Sequence, residues 1–248
     1  MKSPISFVTV AVDGLFWVRL LVERIRALVG PRDYEIIVVD RLSRDGTRAW
    51  LRAQPDIRII TRPHWPWHRD HRHGEAAEAA IRRARHDRIV LLDSDAHPVA
   101  PDWLENTADR LDDHNRLAGA VFRDHHRGNP HGWYIHPHFM AFLKADLESL
   151  IILRKRFGPD TDTAEESTMR VLAAGRGIIG HPIEFAPAFA VGHDRVPTIA
   201  GGVFHAWYVS RLTRNEAEVV RETNGQITTA TYRDPLIAKL RQHYALTY

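Results

Sequence analysis

Four carboxylates at the ends of predicted strands are the residues of this sequence best placed to do chemistry. Asp13 follows the apolar run 5–12, Asp40 ends the run 35–40, and Asp93 ends the run 88–93. Asp95 follows one residue later, in Asp93-Ser94-Asp95. Two carboxylates one residue apart, in a turn leaving a buried strand, can converge on a hard cation. Mg²⁺ or Mn²⁺ suits them, because both prefer oxygen donors and in turn bridge phosphates. Asp-x-Asp is also a common solvated turn, with an Asp capping the helix that follows. The setting after Ile89-Val90-Leu91-Leu92 and before Ala96-His97-Pro98 favours the cation.

The elements that must position these groups follow from hydrophobic spacing. The β-branched run 5–12 predicts a buried strand ending in an Asp-Gly turn. Apolar residues at helical spacing (Leu15, Val18, Val22, Ile25, Leu28) predict a helix stopped by Gly30-Pro31. Strands are predicted at 35–40, 57–61 and 88–93, with a short helix around Trp50 and Leu51, a loop over 62–73 and a helix over 75–85. Pro101 is expected to open another helix. Strand and helix in alternation argue for a largely parallel sheet with helices on both faces, and ligands collect beyond the carboxyl ends of such strands. Further on, strands are predicted at 117–122, 133–142, 178–183 and 203–209, and a helix at 163–174 closed by Gly175. The expected organisation is one domain over 1–248, with a nucleotide-binding half over 1–116 and an acceptor-side half over 117–248.

Composition narrows the function classes. The 248 residues carry a formal charge of +3, with 44% apolar and 26% charged residues, as in an ordinary soluble globular protein. Basic and acidic residues are interspersed, so no nucleic-acid-binding face is expected. Only four of the 34 basic residues are lysine. That bias reads first as genomic composition, and for some arginines as phosphate grip. The absence of cysteine excludes disulfides, thiolate metal sites and cysteine nucleophiles. No apolar run reaches the ~18 residues of a membrane span. The N-terminus does not read as a signal peptide, so a cytoplasmic location is expected.

The motifs Ile36-Ile37-Val38-Val39-Asp40, Ser43-x-Asp45-Gly46-Thr47, His73-Gly74-Glu75-Ala76-Ala77 and Leu91-Leu92-Asp93-Ser94-Asp95, with Pro98, resemble the family 2 glycosyltransferases of the GT-A fold. The resemblance covers residues 4–112 well and the rest loosely. It implies a Rossmann-like α/β/α sandwich and a nucleotide-diphosphate sugar donor. It further implies that Asp40 meets the nucleobase and that the end of the first strand, Thr9 to Ala11, lines base and ribose. Asp13, His73 and Ser94 join the donor site. Asp93 would face ribose or sugar and share with Asp95 a divalent cation on the diphosphate. Asp70, His71 and His73 replace asparagines usual in the family, and Arg41 replaces a small or polar residue.

In the second half the resemblance implies a general base at the start of the 163–174 helix, where Asp162, Glu165 and Glu166 stand in place of the usual Glu-Asp pair. Asp162 ranks first and Glu165 second. Asp162-x-x-Glu165 reads equally as a capping box. A late His in several GT-A enzymes binds the metal, which points to His205, though a half-buried His in an aromatic strand accounts for it as well. Arg211 is placed to neutralise the leaving phosphate. Trp133, Tyr134, His136 and His138 are candidate sugar or acceptor contacts or, as a group, core packing.

The resulting expectation is a metal-dependent, inverting glycosyltransferase acting on a hydroxyl or amine acceptor of small-molecule, glycan or carrier-linked type, with a homodimer possible. A sugar-nucleotide nucleotidyltransferase ranks lower, because no Gly-rich loop with a basic residue follows the first strand. A non-catalytic nucleotide-sugar-binding protein is the other alternative. The missing Gly-x-Gly-x-x-Gly argues against a dinucleotide-dependent oxidoreductase.

Overall fold

The computed structural model describes residues 2–62, 71–123, 130–154, 164–192 and 196–248, with backbone alone for 71, 72, 210 and 214. Four strands, β1 (Ile5–Ala11), β2 (Tyr34–Asp40), β3 (Ile57–Thr61) and β4 (Arg88–Asp93), alternate with helices α1 (Leu15–Leu28), α2 (Thr47–Arg52) and α3 (His71–Ile81). β1 is buried at every position, as a near-continuous apolar run requires of a central strand covered on both faces. Ile5, Phe7 and Ala11 face the core beneath α1, while Val8 and Val10 face the core beneath α3. The mostly parallel α/β sandwich expected from the alternation is therefore present.

The main sheet has seven strands in the order β3-β2-β1-β4-β7-β6-β8, completed by β6 (Asn115–Arg123), β7 (Trp133–Leu143) and β8 (Gly177–Pro182). β7 pairs antiparallel with both β4 and β6, and every other neighbouring pair is parallel. Register then decides what meets at the carboxyl edge. Ala11 lies opposite Asp40, Val10 opposite Asp93, and Leu92 opposite Phe139 of the reversed strand. The antiparallel neighbour thus brings its amino end, carrying His136 and His138, to the edge where Asp93 emerges.

A second sheet, in the order β5-β11-β10-β9, joins β5 (Ala96–Pro98) to β11 (Val203–His205), β10 (Thr198–Ala200) and β9 (Glu184–Phe185). Trp17 and Leu20 of α1 share a third core with Phe204 and with α5 (Val209–Glu222) and α6 (Asp234–Tyr244). α4 (Glu165–Ala173) packs on β7 and β8. Among the described residues no helix is long and apolar enough to cross a membrane.

Several predicted elements differ. The helix expected from Pro101 is a series of turns and a 3-10 turn, Ala108–Arg110. The Thr107 hydroxyl takes the Trp103 carbonyl that a continuing helix would offer to the Thr107 amide. Trp103 itself is fixed by stacking on Phe7 at 5.7 Å and by its indole N–H, which donates to the Leu28 carbonyl at 3.1 Å. Tertiary packing overrides the local signal there. The strand predicted at 203–209 stops at His205, because Trp207 and Tyr208 take left-handed φ of 46° and 47°, and α5 follows. α3 begins at His71, inside the predicted loop.

Candidate functional site

The Asp93-Ser94-Asp95 turn carries the chain from β4 of the large sheet into β5 of the small one. β5 pairs with β11 so that Ala96 lies opposite His205, and the Ala206 amide donates to the Asp95 carbonyl at 3.1 Å. Sheet register, rather than sequence proximity, returns His205 to the turn. Its Nε2 lies 3.5 Å from Asp95 Oδ1 and 3.9 Å from Asp93 Oδ2. One donor atom from each of the three residues lies within 4.8 Å of the other two. Donors around an Mg²⁺-sized ion with bonds of about 2.1 Å stand roughly 3 to 4 Å apart, so this set fits a divalent cation with little adjustment. Asp95 and His205 are buried and Asp93 is half-buried, which leaves the Asp93 side for a ligand to approach.

His73 reaches the same carboxylate, with Nε2 3.5 Å from Asp93 Oδ1. Its place depends on Gly74: a Cβ at that position would overlap the backbone carbonyl of Leu153, so only glycine lets α3 lie so close to 151–154. Desolvation pushes the Asp93 carboxyl up, but the hydrogen bond from His73 and the charges of His73, His205 and His136 outweigh it and hold the group at about 2. Asp93 is therefore anionic throughout the physiological range.

Behind the carboxylates stands an imidazole and indole cluster. The His138 ring stacks on His205 at 4.2 Å and 10°, and its Nδ1 is 2.8 Å from His136 Nδ1. Trp207 lies 4.5 Å from His205 and 5.3 Å from His136, ring to ring. Burial, then the charges of His205 and His136, hold His138 well below the ordinary imidazole range, so its ring is neutral. His138 Nε2 and His205 Nδ1 are buried without a hydrogen-bond partner among the described residues. Three of the four residues grouped by sequence stay in ring contact, His136 lying 4.8 Å from His138 and 5.9 Å from Tyr134. Tyr134 and His138 are buried, His136 touches Phe122 and Trp207, and Trp133 packs on the core beneath α3 and α4.

The β1 and β2 edge is built differently. Asp40 is fully buried; Oδ1 accepts the Ser43 amide at 2.9 Å and Oδ2 accepts Arg48 Nε at 2.9 Å. Asp13, at φ 46°, accepts the Arg44 amide at 2.7 Å, while its own amide donates to Ser43 Oγ at 3.1 Å. Asp45 accepts the Leu15 amide at 2.8 Å. Thr9 is buried, with its hydroxyl unpartnered among the described residues, and the Ala11 carbonyl accepts the Arg41 amide at 2.9 Å. Sidechain-to-backbone bonds of this kind lock the loops after β1 and β2 to one another. Each Asp40 oxygen keeps a second lone pair, so a base could join these partners once the buried side chain is uncovered.

Arg211 is held across the break in α5 at Asn215 by Glu218 at 3.2 Å and Glu222 at 2.5 Å, rather than standing free for a phosphate. Glu165 is fully buried at the first position of α4. Asp162 lies outside the described residues. The N-cap of α4 is Ala164, and the Asp162 half of the expected capping box falls on the residues not described. Trp207 and Arg48 were missed in the sequence. Trp207 owes its place to a left-handed backbone that no periodicity signals, and Arg48 to a helix beginning seven residues after its partner.

A model of the family described as glycosyl transferase family 2 matches residues 9–172, about two thirds of the chain. The chain belongs to this family. No match is found among curated proteins. Among solved structures, this glycosyltransferase resembles a mannosyltransferase from Pyrobaculum calidifontis in complex with GDP-Man and Mn²⁺, with TM-score 0.55 and 18% identity over 99% of this chain and 71% of that one. It also resembles glucosyl-3-phosphoglycerate synthase from Mycobacterium tuberculosis in complex with Mn²⁺, UDP and phosphoglyceric acid, with TM-score 0.53 and 18% identity over 73% of this chain and 68% of that one. At such identities the likeness is one of fold.

Proposed function

We propose that this family 2 glycosyltransferase moves a sugar from a nucleotide-diphosphate donor to a hydroxyl or amine acceptor with inversion, and that it depends on Mn²⁺ or Mg²⁺. The observation that carries the reading is the convergence of Asp93, Asp95 and His205 within 4.8 Å where β4 leaves the sheet. A cation held there would supply Lewis acidity to the diphosphate leaving group. Asp93, fixed as an anion by His73, orients donor and metal site together, and Ser94 lies in the turn between the two carboxylates. Thr9, Ala11, Asp13 and Asp40 form the base and ribose side, with Asp40 acting through the loop it fastens. Arg211 contributes at the leaving group only by exchanging Glu222 or Glu218 for phosphate.

In the transfer the bond from the anomeric carbon to the diphosphate oxygen breaks as the acceptor oxygen or nitrogen bonds to that carbon from the opposite face. The acceptor proton passes to a carboxylate, Asp162 or Glu165. The two halves, 1–116 and 117–248, act as one unit. β4 pairs with β7 and β5 with β11, so each sheet joins strands of both halves.

The test is a thermal-shift screen of UDP and GDP with and without Mn²⁺, in which a ligand of the folded state raises Tm by mass action. One nucleotide is expected to raise Tm several degrees only with Mn²⁺. Equal shifts with and without the ion would remove the metal from the reading, and pyrophosphate release from a nucleoside triphosphate would replace transfer by nucleotidyl chemistry.

A further inference from the structure

Trp207, whose ring touches the candidate metal ligand His205, also lines a cavity of about 480 Å³. That volume lies within the range of small-molecule sites, about 300–1,000 Å³. Phe122, Ile183, Val196 and Ile227 supply apolar wall, and Tyr208 stands next to Trp207. The two aromatic residues are consecutive in the left-handed region, at φ 46° and 47°. Non-glycine backbone of this kind persists only where surrounding contacts hold it, and it gathers at binding and active sites. Here one contact is the Trp207 indole N–H, which donates to Thr198 Oγ1 at 2.6 Å.

The polar part of the lining is neutral or acidic. Asn224 and Gln226 contribute amides and Glu222 a carboxylate, while the Thr223 hydroxyl donates to the Val219 carbonyl at 2.8 Å and accepts the Ile227 amide at 3.2 Å. Among the described residues no lysine, arginine or histidine lines the cavity. The guanidinium of Arg211 stands 5.7 Å over the Tyr208 ring, yet Glu218 and Glu222 both hold it. Against these described residues an anionic ligand would give up its hydration and meet the Glu222 carboxylate, with the nearest guanidinium already paired. A neutral pyranose would meet aromatic faces and amides.

We propose that this cavity is the acceptor site and that it takes an uncharged, ring-bearing acceptor, a hydroxyl on a neutral sugar or glycoside, in preference to phosphorylated or carboxylated ones. The inference rests on the donor-site reading above, because Trp207 connects the cavity to His205. Glu222 and Gln226 set the charge preference: one holds Arg211 away and the other keeps the rim neutral.

The experiment uses the full chain with Mn²⁺ and either UDP-glucose or GDP-mannose. Phenyl and alkyl hexosides are compared as acceptors with the matching glucuronides and hexoside 6-phosphates. The neutral member of a pair is expected to show a kcat/KM about tenfold or more above its anionic counterpart. Gln226→Lys, at an exposed position, should shrink that ratio severalfold, and Glu222→Gln, which removes one of the two carboxylates that hold Arg211, should shrink it in the same direction by less. Because the readout is a ratio within one enzyme preparation, a general loss of activity does not mimic it. Equal or better use of the anionic acceptors by the natural chain overturns the inference, as does a ratio that neither substitution moves. Donor hydrolysis with no transfer to any neutral acceptor overturns it too, while leaving the donor-site reading standing. Loss of both donor hydrolysis and Mn²⁺-dependent nucleotide binding overturns both.

Discussion

β2 and β4 are the two parallel neighbours of β1, and each ends in an aspartate at the same edge of the sheet. The two residues are put to opposite uses. Asp40 is fully buried, and its oxygens are bound by the Ser43 amide and the Arg48 guanidinium. Asp93 is half-buried and stands with Asp95 and His205 as a convergent donor set. One strand end shares its charge with the loop that follows it. The other meets His73 and His205, imidazoles brought from distant elements. A carboxylate at a strand tip is thus not a site by position alone; what decides is whether the loop that follows supplies its partners.

The sharpest way to break the comparison is Asp95→Ala. Turnover, measured as nucleoside diphosphate release with Mn²⁺, should fall by at least ~100-fold, since the cation loses an oxygen donor that water replaces without fixing its place. The metal-free Tm should change little by comparison, as expected of a carboxylate that serves a ligand more than the packing. A large loss of Tm with activity retained would make the pair structural, and the contrast with Asp40 would vanish.

Asp40→Asn probes the other side. Neutralising a fully buried carboxylate leaves Arg48 without its counter-charge, but the Arg48 side chain is 30% exposed and water takes up part of the loss. The expected cost is about 1–3 kcal/mol in urea unfolding, below that of a fully buried pair. Donor affinity should weaken through the loosened 41–48 loop, with kcat less affected than KM. If stability is unchanged and the nucleotide no longer binds, Asp40 contacts the base directly and both strand ends serve ligands.

How much of this was legible before the structure depends on the kind of signal. β1, β2 and β4 were read from their apolar runs because a strand buried on both faces must be apolar throughout. The Asp93-Ser94-Asp95 pair followed from its place after such a run. His205 was suggested only by resemblance, and its return to Asp95 rests on the Ala96–His205 register between two three-residue strands too short to show a period. Arg211 was plausible by spacing, yet Glu218 and Glu222, beyond the break in α5 at Asn215, hold it. Long periodic elements are encoded locally. Short strands, left-handed turns and ion-pair choices are settled by packing between distant segments.

The smallest effect concerns what holds the open strand tip in place. His97, in β5 just after the Asp93–Asp95 turn, is buried against Phe204 at 4.7 Å, with Nε2 3.1 Å from the Tyr244 hydroxyl. Desolvation, then the charges of Arg24 and His243, lower its pKa to about 3. In the unfolded chain the group titrates near about 6.5. Between those values the unfolded state binds a proton that the folded state does not, so stability rises with pH there and is lost as pH falls below about 6.5. From pH 7.0 to 5.5 the loss from this one group should be about 1 kcal/mol, measured by urea unfolding. His97→Leu should flatten that part of the pH profile, since leucine keeps the packing against Phe204 and carries no proton. The β5–β11 pairing that sets His205 against Asp95 depends on this neutral ring, whereas the Asp40 edge is held by charge. An unchanged acid slope in the variant would mean that β5 keeps its place without the imidazole, and that the two edges differ less than their contacts imply.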